Sequence, residues 1–394
     1  MTASNIVETT FRHDFFGDIP REVGEFWTAR QRQMHSLHYA ISYRASYKPE
    51  LPRFFIEKYS RTGETVLDPF GGRGTTALQA VLMNRKAVNA DVNPLSERIV
   101  RPKLQPPEFE EIKSRLEQID FSKKINSTID LSMFYHPSTE RQLLSLKEHL
   151  RTNREPVDLF IELIALSRLH GHSPGFFSVY SFPQISVPPE AQNRINRKRN
   201  QSPEERNVPQ LILRKAKRVL KDGSLAQIRT VGAESETHIS DARDLNEIPE
   251  NSIDFIVTSP PFLNKADYVL DNWLEFWFCG IDSKPLAQKI IMTSNIDKWK
   301  IFIRESMMEM YRILRPGRHA AIEVGEVMDD ETLIFLDEVL VDLAKELHQD
   351  GCSLSPERIY IHQQDFTKLA NCFNVDNNRK GTNTNRIVVF RKDA

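Results

Sequence analysis

Cysteine is scarce in this chain. Its three residues in 394, Cys279, Cys352 and Cys372, are too few and too scattered for a disulfide framework and lack metal-ligand spacing. A reducing, cytoplasmic setting is the expectation, with no metal. Charge of one sign is lacking too: 53 Lys and Arg against 54 Asp and Glu leave a formal net charge of −1. Attraction to a polyanion must then come from a local basic patch rather than from the global field. No window approaches the ~20 apolar residues of a membrane span, and Met1 to His13 is polar, without the apolar centre of a secretory signal. There is no internal repeat and no low-complexity tract. With 40% apolar and 27% charged residues the composition is ordinary and globular, sufficient for one large domain with an insertion or for two domains.

Residues 1–37 are weakly patterned, with a helix expected from Arg21 to Ser36 and no function assigned. Clearer organisation starts at Pro49, where Leu51, Phe54, Phe55, Ile56 and Tyr59 have the spacing of an amphipathic helix. Thr65 to Asp68 reads as a buried strand, Pro69 to Gly74 as a tight turn, Thr75 to Asn84 as a helix and Ala87 to Asp91 as the next strand. Such a strand, turn, helix and strand open a parallel, doubly wound sheet. The alternation is then lost. Residues 105–232 carry expected helices at Thr139 to Leu150 and Pro156 to His170, a proline-rich aromatic stretch from Gly175 to Pro189, and a basic run from Arg194 to Lys221. The strand pattern resumes at Ile239 to Asp241, Ile253 to Thr258, His319 to Val324, Arg358 to His362 and Arg386 to Arg391, with helices at Trp299 to Leu314 and Glu331 to His348. The expected fold is α/β, a Rossmann-like, doubly wound, mostly parallel sheet. It divides into an N-terminal segment (1–37), a first core part (38–104), a largely helical insertion (105–232) and a second core part (233–394).

Two turns carry the chemistry. In Asp68-Pro69-Phe70-Gly71-Gly72-Arg73-Gly74-Thr75-Thr76, glycines sit where the backbone must turn sharply and let a ligand approach a helix N-terminus. Asp91, followed by Val92, ends the next strand, where a carboxylate can accept hydrogen bonds from ribose hydroxyls. Gly72-x-Gly74-x-x-Ala77 also fits a dinucleotide fingerprint, and a plain structural turn is the bland alternative. A phosphate loop is excluded by the missing Gly-Lys-Ser/Thr. Asp68 separates the remaining readings: a carboxylate at the strand tip suits an ammonium group and repels a pyrophosphate, which favours S-adenosylmethionine.

The second turn is Ser259-Pro260-Pro261-Phe262, directly after the apolar strand Ile253 to Thr258. Two prolines end a strand, and the carboxyl edge of an open α/β sheet is where ligands bind. An exocyclic base amine is a poor nucleophile because its lone pair is delocalised into the ring. A hydroxyl (Ser259) and a main-chain carbonyl (Pro260) that accept both amine hydrogens free that lone pair for in-line attack on a methyl donor, and Phe262 offers a face for stacking. Alone, such a turn reads more readily as a surface loop; its place after a buried strand and downstream of a cofactor turn reverses that.

Both turns resemble those of the DNA amino-methyltransferases, which make N4-methylcytosine or N6-methyladenine. Their glycine motif Asp-Pro-Phe-x-Gly-Ser-Gly-Thr-Thr is matched from Asp68 to Thr76 except at Arg73, and their catalytic tetrapeptide at Ser259 to Phe262. Serine at the first position resembles the cytosine-N4 branch. The resemblance also implies cofactor contacts from the Tyr43 to Phe55 segment, including Tyr47, and from Asp241 and Ala242, although Ser240 stands where the family usually has glycine. It covers residues 38–104 and 235–392 and implies a seven-stranded methyltransferase sheet, S-adenosylmethionine as cofactor, duplex DNA as substrate, base flipping, and a cognate restriction endonuclease as a functional partner.

The insertion is expected to recognise the target, with Arg194, Arg197, Lys198 and Arg199 on phosphates and Gln192, Asn193, Asn196 and Asn200 as candidate base contacts, against the bland reading of a solvated charged face. Phe176, Phe177, Tyr180 and Phe182 fit a small core of the insertion better than a route to the flipped base, and His170 and His172 a structural role better than a metal. Asn374 to Asn385, with Arg379 and Lys380, reads as a polar loop able to order on DNA. The rivals are adenine-N6 methylation of DNA, amine methylation of RNA, and a non-catalytic DNA-binding protein of the same fold. Cytosine C5 chemistry is disfavoured, since no cysteine follows a proline in such a turn.

Overall fold

The computed structural model describes residues 6–28, 33–43, 46–182, 185–261, 267–290, 293, 295–329, 332–363 and 384–393. Phe262, Cys372 and positions 374–383, with Arg379 and Lys380, lie outside the described residues.

The chain opens with a hairpin, β1 (Val7–His13) and β2 (Gly17–Gly24), then α1 (Glu50–Tyr59), β3 (Thr65–Asp68), α2 (Thr75–Leu82), β4 (Lys86–Ala90) and α3 (Pro94–Leu104). Asn93 starts α3 by accepting the Leu95 N–H, and Pro94 fills the first helical position, where its missing N–H costs nothing. The insertion supplies α4 (Phe109–Gln118), α5 (Pro137–Thr152), α6 (Pro156–Leu166), α7 (Pro189–Arg199), α8 (Val208–Val219) and α9 (Leu225–Gly232). Then come β5 (Glu236–His238), β6 (Ile253–Thr258), α10 (Trp273–Cys279), α11 (Lys284–Lys289), α12 (Ile296–Ile313), β7 (Leu314–Val324), a small hairpin β8 (Glu326–Asp329) and β9 (Thr332–Phe335), α13 (Leu336–Gln349), β10 (Leu354–Gln363) and β11 (Thr384–Lys392).

The main sheet has nine strands in the order β1-β2-β10-β11-β7-β6-β3-β4-β5. Six of the seven expected strands are present where expected. β11 runs antiparallel to both its neighbours, β10 and β7, and the N-terminal hairpin, whose β1 is antiparallel to β2, extends the sheet by pairing β2 parallel to β10. The helix expected from Arg21 to Ser36 is therefore corrected: Arg21 to Gly24 lie in β2. The strand expected at Ile239 to Asp241 lies instead at Glu236–His238, and the first residues of the helix expected from Glu331 belong to β9.

Successive strand residues face opposite sides of the sheet, and each side is covered. Val66, Phe255, Val257, Ala321 and Val389 pack into one apolar cluster; Leu67, Val88, Ile256, Ala320 and Phe390 pack into another with α12 and α13. Apolar residues of the insertion, Ile112, Leu146, Phe160, Ile164 and Ile212 among them, are buried in the first cluster alongside α1, α2 and α3. At the junction of α9 with α3, a Cβ added at Gly232 would stand 2.0 Å from the Leu104 carbonyl oxygen, so the two elements meet backbone to backbone. Among the described residues, no helix is long and apolar enough to cross a membrane.

His362 in β10 marks the seam with the N-terminal segment. It is buried, its Nδ1 accepts the Phe26 N–H at 3.1 Å, its ring stacks on Trp27 at 3.9 Å, and its Nε2 has no partner among the described residues. Burial pushes its pKa down to about 4. The unfolded chain then binds the proton more readily than the fold, so stability drops as pH falls from about 6.5 to about 4, by up to ~1.4 kcal/mol per pH unit. Urea unfolding across that window should show a shallower slope for His362→Gln, which keeps an acceptor for Phe26; an unchanged slope would contradict the assignment.

Candidate active site

β3 is the point at which the sheet reverses direction: the chain runs outward through β4 and β5 on one side, then returns to build β6 and β7 on the other. Crevices at such reversals, outside the carboxyl ends of the strands, are the ligand sites of open α/β sheets. The tips of β3 and β6 are neighbours in a parallel pair, with Leu67 opposite Ile256, so the glycine turn and the Ser-Pro-Pro turn emerge side by side.

The glycine turn is held from below. Gly71 N–H bonds to the Ala90 carbonyl at 2.9 Å and Gly74 N–H to the Gly71 carbonyl at 2.7 Å. Gly74, at φ +71°, precedes α2 in a left-handed conformation that side chains disfavour. Asp68 is 1% exposed and lies one layer behind the ligand cavity. One oxygen accepts the Thr258 hydroxyl at 2.5 Å and the Phe70 N–H at 3.1 Å; the other accepts the Tyr47 hydroxyl at 2.6 Å. Thr76 bonds to the Tyr47 hydroxyl and, at 3.2 Å, to the Val257 carbonyl. Burial raises the Asp68 pKa and these donors oppose the rise. Asp68 and Thr76 thus join the cofactor turn to the residues immediately before Ser259.

A cavity opens above these turns. Of the residues expected at the site, Tyr47, Pro69, Phe70, Gly72, Thr75, Asp91, Val92, Asp241, Ala242, Ser259 and Pro261 line it. Gly74, Thr76 and Pro260 support it without lining it, as Asp68 does. Sequence reasoning missed Arg73, Asn93, Tyr268, Lys289, Ile290 and Phe302, which also line the cavity. Tyr268 faces Tyr43 across it at 6.3 Å between ring centres, and no local pattern announces that pairing.

Asp91 binds the turn through both oxygens, accepting Gly72 N–H at 2.7 Å and Asn93 N–H at 2.8 Å. Each carboxylate oxygen keeps a second acceptor site for a ribose hydroxyl. Burial, only partly offset by those two N–H groups, lifts its pKa to about 6. Since hydroxyls donate to the carboxylate form, cofactor affinity should fall about tenfold per pH unit below about pH 6. Calorimetric titration from pH 5 to pH 8 checks this, and Asp91→Asn should bind weakly without that dependence. Asp241 is held by a two-pronged Arg243 pair at 3.0 and 2.7 Å; burial would raise its pKa, but Arg243 outweighs it and the carboxyl is held low. Phe302, Val92, Ala242 and Ile290 give the cavity its apolar lining. Acceptors for ribose, apolar walls for a purine and a glycine floor without side chains fit the adenosine of S-adenosylmethionine.

On the β6 side, Ser259 is half-buried at the cavity wall, and the Pro261 carbonyl accepts the indole N–H of buried Trp299, the α12 residue, at 2.9 Å. That bond fixes the second proline's carbonyl. Among the described residues, no donor reaches the Ser259 hydroxyl or the Pro260 carbonyl.

In the insertion, Arg194, Arg197, Lys198 and Arg199 lie exposed on α7, with Arg199 over the Tyr180 ring at 3.8 Å. Gln192 and Asn196 are corrected: both turn inward, Gln192 bonding to the Tyr180 carbonyl and to Asn196, and Asn196 to the Met133 carbonyl, so neither is free to read a base. Asn193 and Asn200 are exposed. Phe177 is buried in the core, whereas Phe182 is exposed. His170 is bound by the Phe182 carbonyl and by Glu275. Among the described residues, no cluster of His, Cys, Asp and Glu could hold a metal ion.

Residues 18–101, which include the glycine turn, match the family model for DNA methylases. The type II methyltransferase M.BsoBI of Geobacillus stearothermophilus is 26% identical over 283 residues, 64% of this chain and 54% of that protein. M.MjaI of Methanocaldococcus jannaschii is 37% identical over 60 residues, 15% of this chain and 20% of that protein. The chain thus spans about half the length of M.BsoBI and less of M.MjaI. Among solved structures, TrmN of Thermus thermophilus is 12% identical, with 95% of this chain and 55% of that one covered at a TM-score of 0.35. The glycine and Ser-Pro-Pro turns thus meet in one cavity, whose floor lies in the segment that is similar to the DNA methylases, and that cavity fits S-adenosylmethionine.

Proposed function

We propose that this protein transfers a methyl group from S-adenosylmethionine to the exocyclic N4 amine of cytosine in duplex DNA, after flipping the base out of the stack, as the modification partner of a restriction endonuclease in the cytoplasm. The observation that carries the reading is the bond between Thr258, next to Ser259, and Asp68, at the root of the glycine turn. It ties the amine-accepting turn and the cofactor turn into one wall.

The cofactor supplies an electrophilic methyl on a sulfonium. The chain does the rest by positioning. Asp91 and Asp241 hold the adenosine end, and the apolar lining excludes water from it. Ser259 Oγ and the Pro260 carbonyl oxygen accept the two hydrogens of the cytosine amine, turning its lone pair out of the ring plane and towards the cofactor. Trp299, by holding the Pro261 carbonyl, keeps the Pro260 carbonyl aimed. Phe262 supplies the stacking face. A duplex base must leave its stack to reach such a site, and Arg194, Arg197, Lys198 and Arg199, exposed together on α7, suit the phosphates flanking a displaced base. Serine at position 259 favours cytosine over adenine.

Sequencing that maps methylated bases in a host expressing this chain tests the reading as a whole. N4-methylcytosine at a fixed context is expected. N6-methyladenine there would move the assignment to the adenine branch, and unmodified DNA beside methylated RNA would move it off DNA.

A further inference from the structure

Arg73 stands where the family's glycine motif has serine, so its presence needs a reason specific to this chain. Its guanidinium lines the cofactor cavity, with Nε on the Thr75 hydroxyl at 3.2 Å and one terminal nitrogen on the Tyr47 main-chain carbonyl at 3.3 Å. Behind it, the 1%-exposed Lys103 donates to the Arg73 carbonyl at 2.5 Å, and buried His38 bonds to Gln79 at 3.1 Å. Burial weakens the charged form of all three groups, and mutual repulsion weakens Lys103 and His38 further. Two basic side chains, Arg73 and Lys103, are thus brought to the turn that leads into α2.

We infer that Arg73, backed by Lys103, holds the carboxylate of the methionine end of S-adenosylmethionine and so makes this site select cofactors that carry that carboxylate. The inference rests on the cofactor assignment above. A charged fork with both other nitrogens held on neutral acceptors keeps donor capacity for one anion. Tyr47 connects the two halves of this corner: its hydroxyl bonds to Asp68 and its carbonyl to Arg73. The negative group behind Tyr47 and the positive one beside it match, in sign, the ammonium and carboxylate of an amino acid.

Calorimetry with three ligands tests this: S-adenosylmethionine, its decarboxylated analogue, which keeps the ammonium, and 5′-methylthioadenosine, which lacks both groups. The wild-type protein should bind S-adenosylmethionine about 10- to 100-fold more tightly than the decarboxylated analogue. Arg73→Ser should erase that ratio and leave 5′-methylthioadenosine binding unchanged. A wild-type ratio below about threefold would overturn the inference whether or not the variant folds. So would equal losses for all three ligands in Arg73→Ser, because they would mark a structural role. If the wild-type protein binds none of the three, the cofactor assignment falls and this inference with it; binding of all three alike removes the Arg73 role alone.

Discussion

Ser259→Ala should lower methyl transfer to duplex DNA by roughly 100- to 1,000-fold, the usual cost of deleting one positioned hydrogen-bonding group from a site where charge develops. The loss should fall on kcat. Ser259 lies at the cavity wall after β6, whereas Asp91 and Asp241, proposed to hold adenosine, follow β4 and β5 on the other side of β3. Calorimetric affinity for S-adenosylmethionine should change by less than about threefold, which separates a catalytic loss from a collapsed pocket. Ser259→Asn, which keeps an acceptor oxygen on a longer arm, should retain more activity than alanine. Full activity in the alanine variant would remove Ser259 from the chemistry.

Gly74→Ala should be strongly damaging in the glycine turn. The new Cβ would stand 2.6 and 2.8 Å from the two methyl carbons of Val100, which is buried in α3, and the residue would have to keep φ +71°. Overpacking of this kind costs about 1–3 kcal/mol and the left-handed backbone about 1–2 kcal/mol more. Denaturant unfolding should report a loss of about 2–5 kcal/mol, with cofactor affinity falling too because Gly74 anchors the turn through its bond to Gly71. Val100→Ala in the same chain should recover part of the steric share, giving a coupling above about 1 kcal/mol in the double-mutant cycle. At Gly72 the nearest atom to an added Cβ is on the Tyr43 ring at 3.7 Å, so Gly72→Ala should cost markedly less stability.

The central strands and both turns were legible because each leaves a strong local signal. Thr65 to Asp68 and Ile253 to Thr258 are short apolar runs ended by proline, the signature of strands covered on both faces. The edges were not legible. β1 is largely exposed and β5 is Glu236-Thr237-His238, paired on one side only, so neither needs apolar residues. Ile239, read as the start of a strand, is 51% exposed. In β2 the alternation that places Ile19 in the core is broken by Pro20 and followed by Arg21 and Glu22, which resembles a helix start more than a strand.

The site was legible where the chain is contiguous and obscure where it is not. Asp91 follows from its place after the second strand, but Tyr268, Lys289 and Phe302 reach the cavity from elements far away in the sequence. Composition also misplaced several polar groups. Lys215 and Gln192 are both buried, Lys215 through a bond to the Tyr39 carbonyl, although long polar side chains in a charged stretch read as surface. The insertion's amphipathic helices announced a buried face without saying whose core it joins, and the structure puts that face against the same side of the sheet as α1 to α3.

Transfer of a labelled methyl group tests the central claim most directly. The purified protein is incubated with methyl-labelled S-adenosylmethionine and duplex DNA, and the DNA is digested to nucleosides and separated. The account predicts label in N4-methylcytosine alone, abolished by Ser259→Ala. A protein that binds S-adenosylmethionine by calorimetry yet puts no label on any DNA base would contradict it.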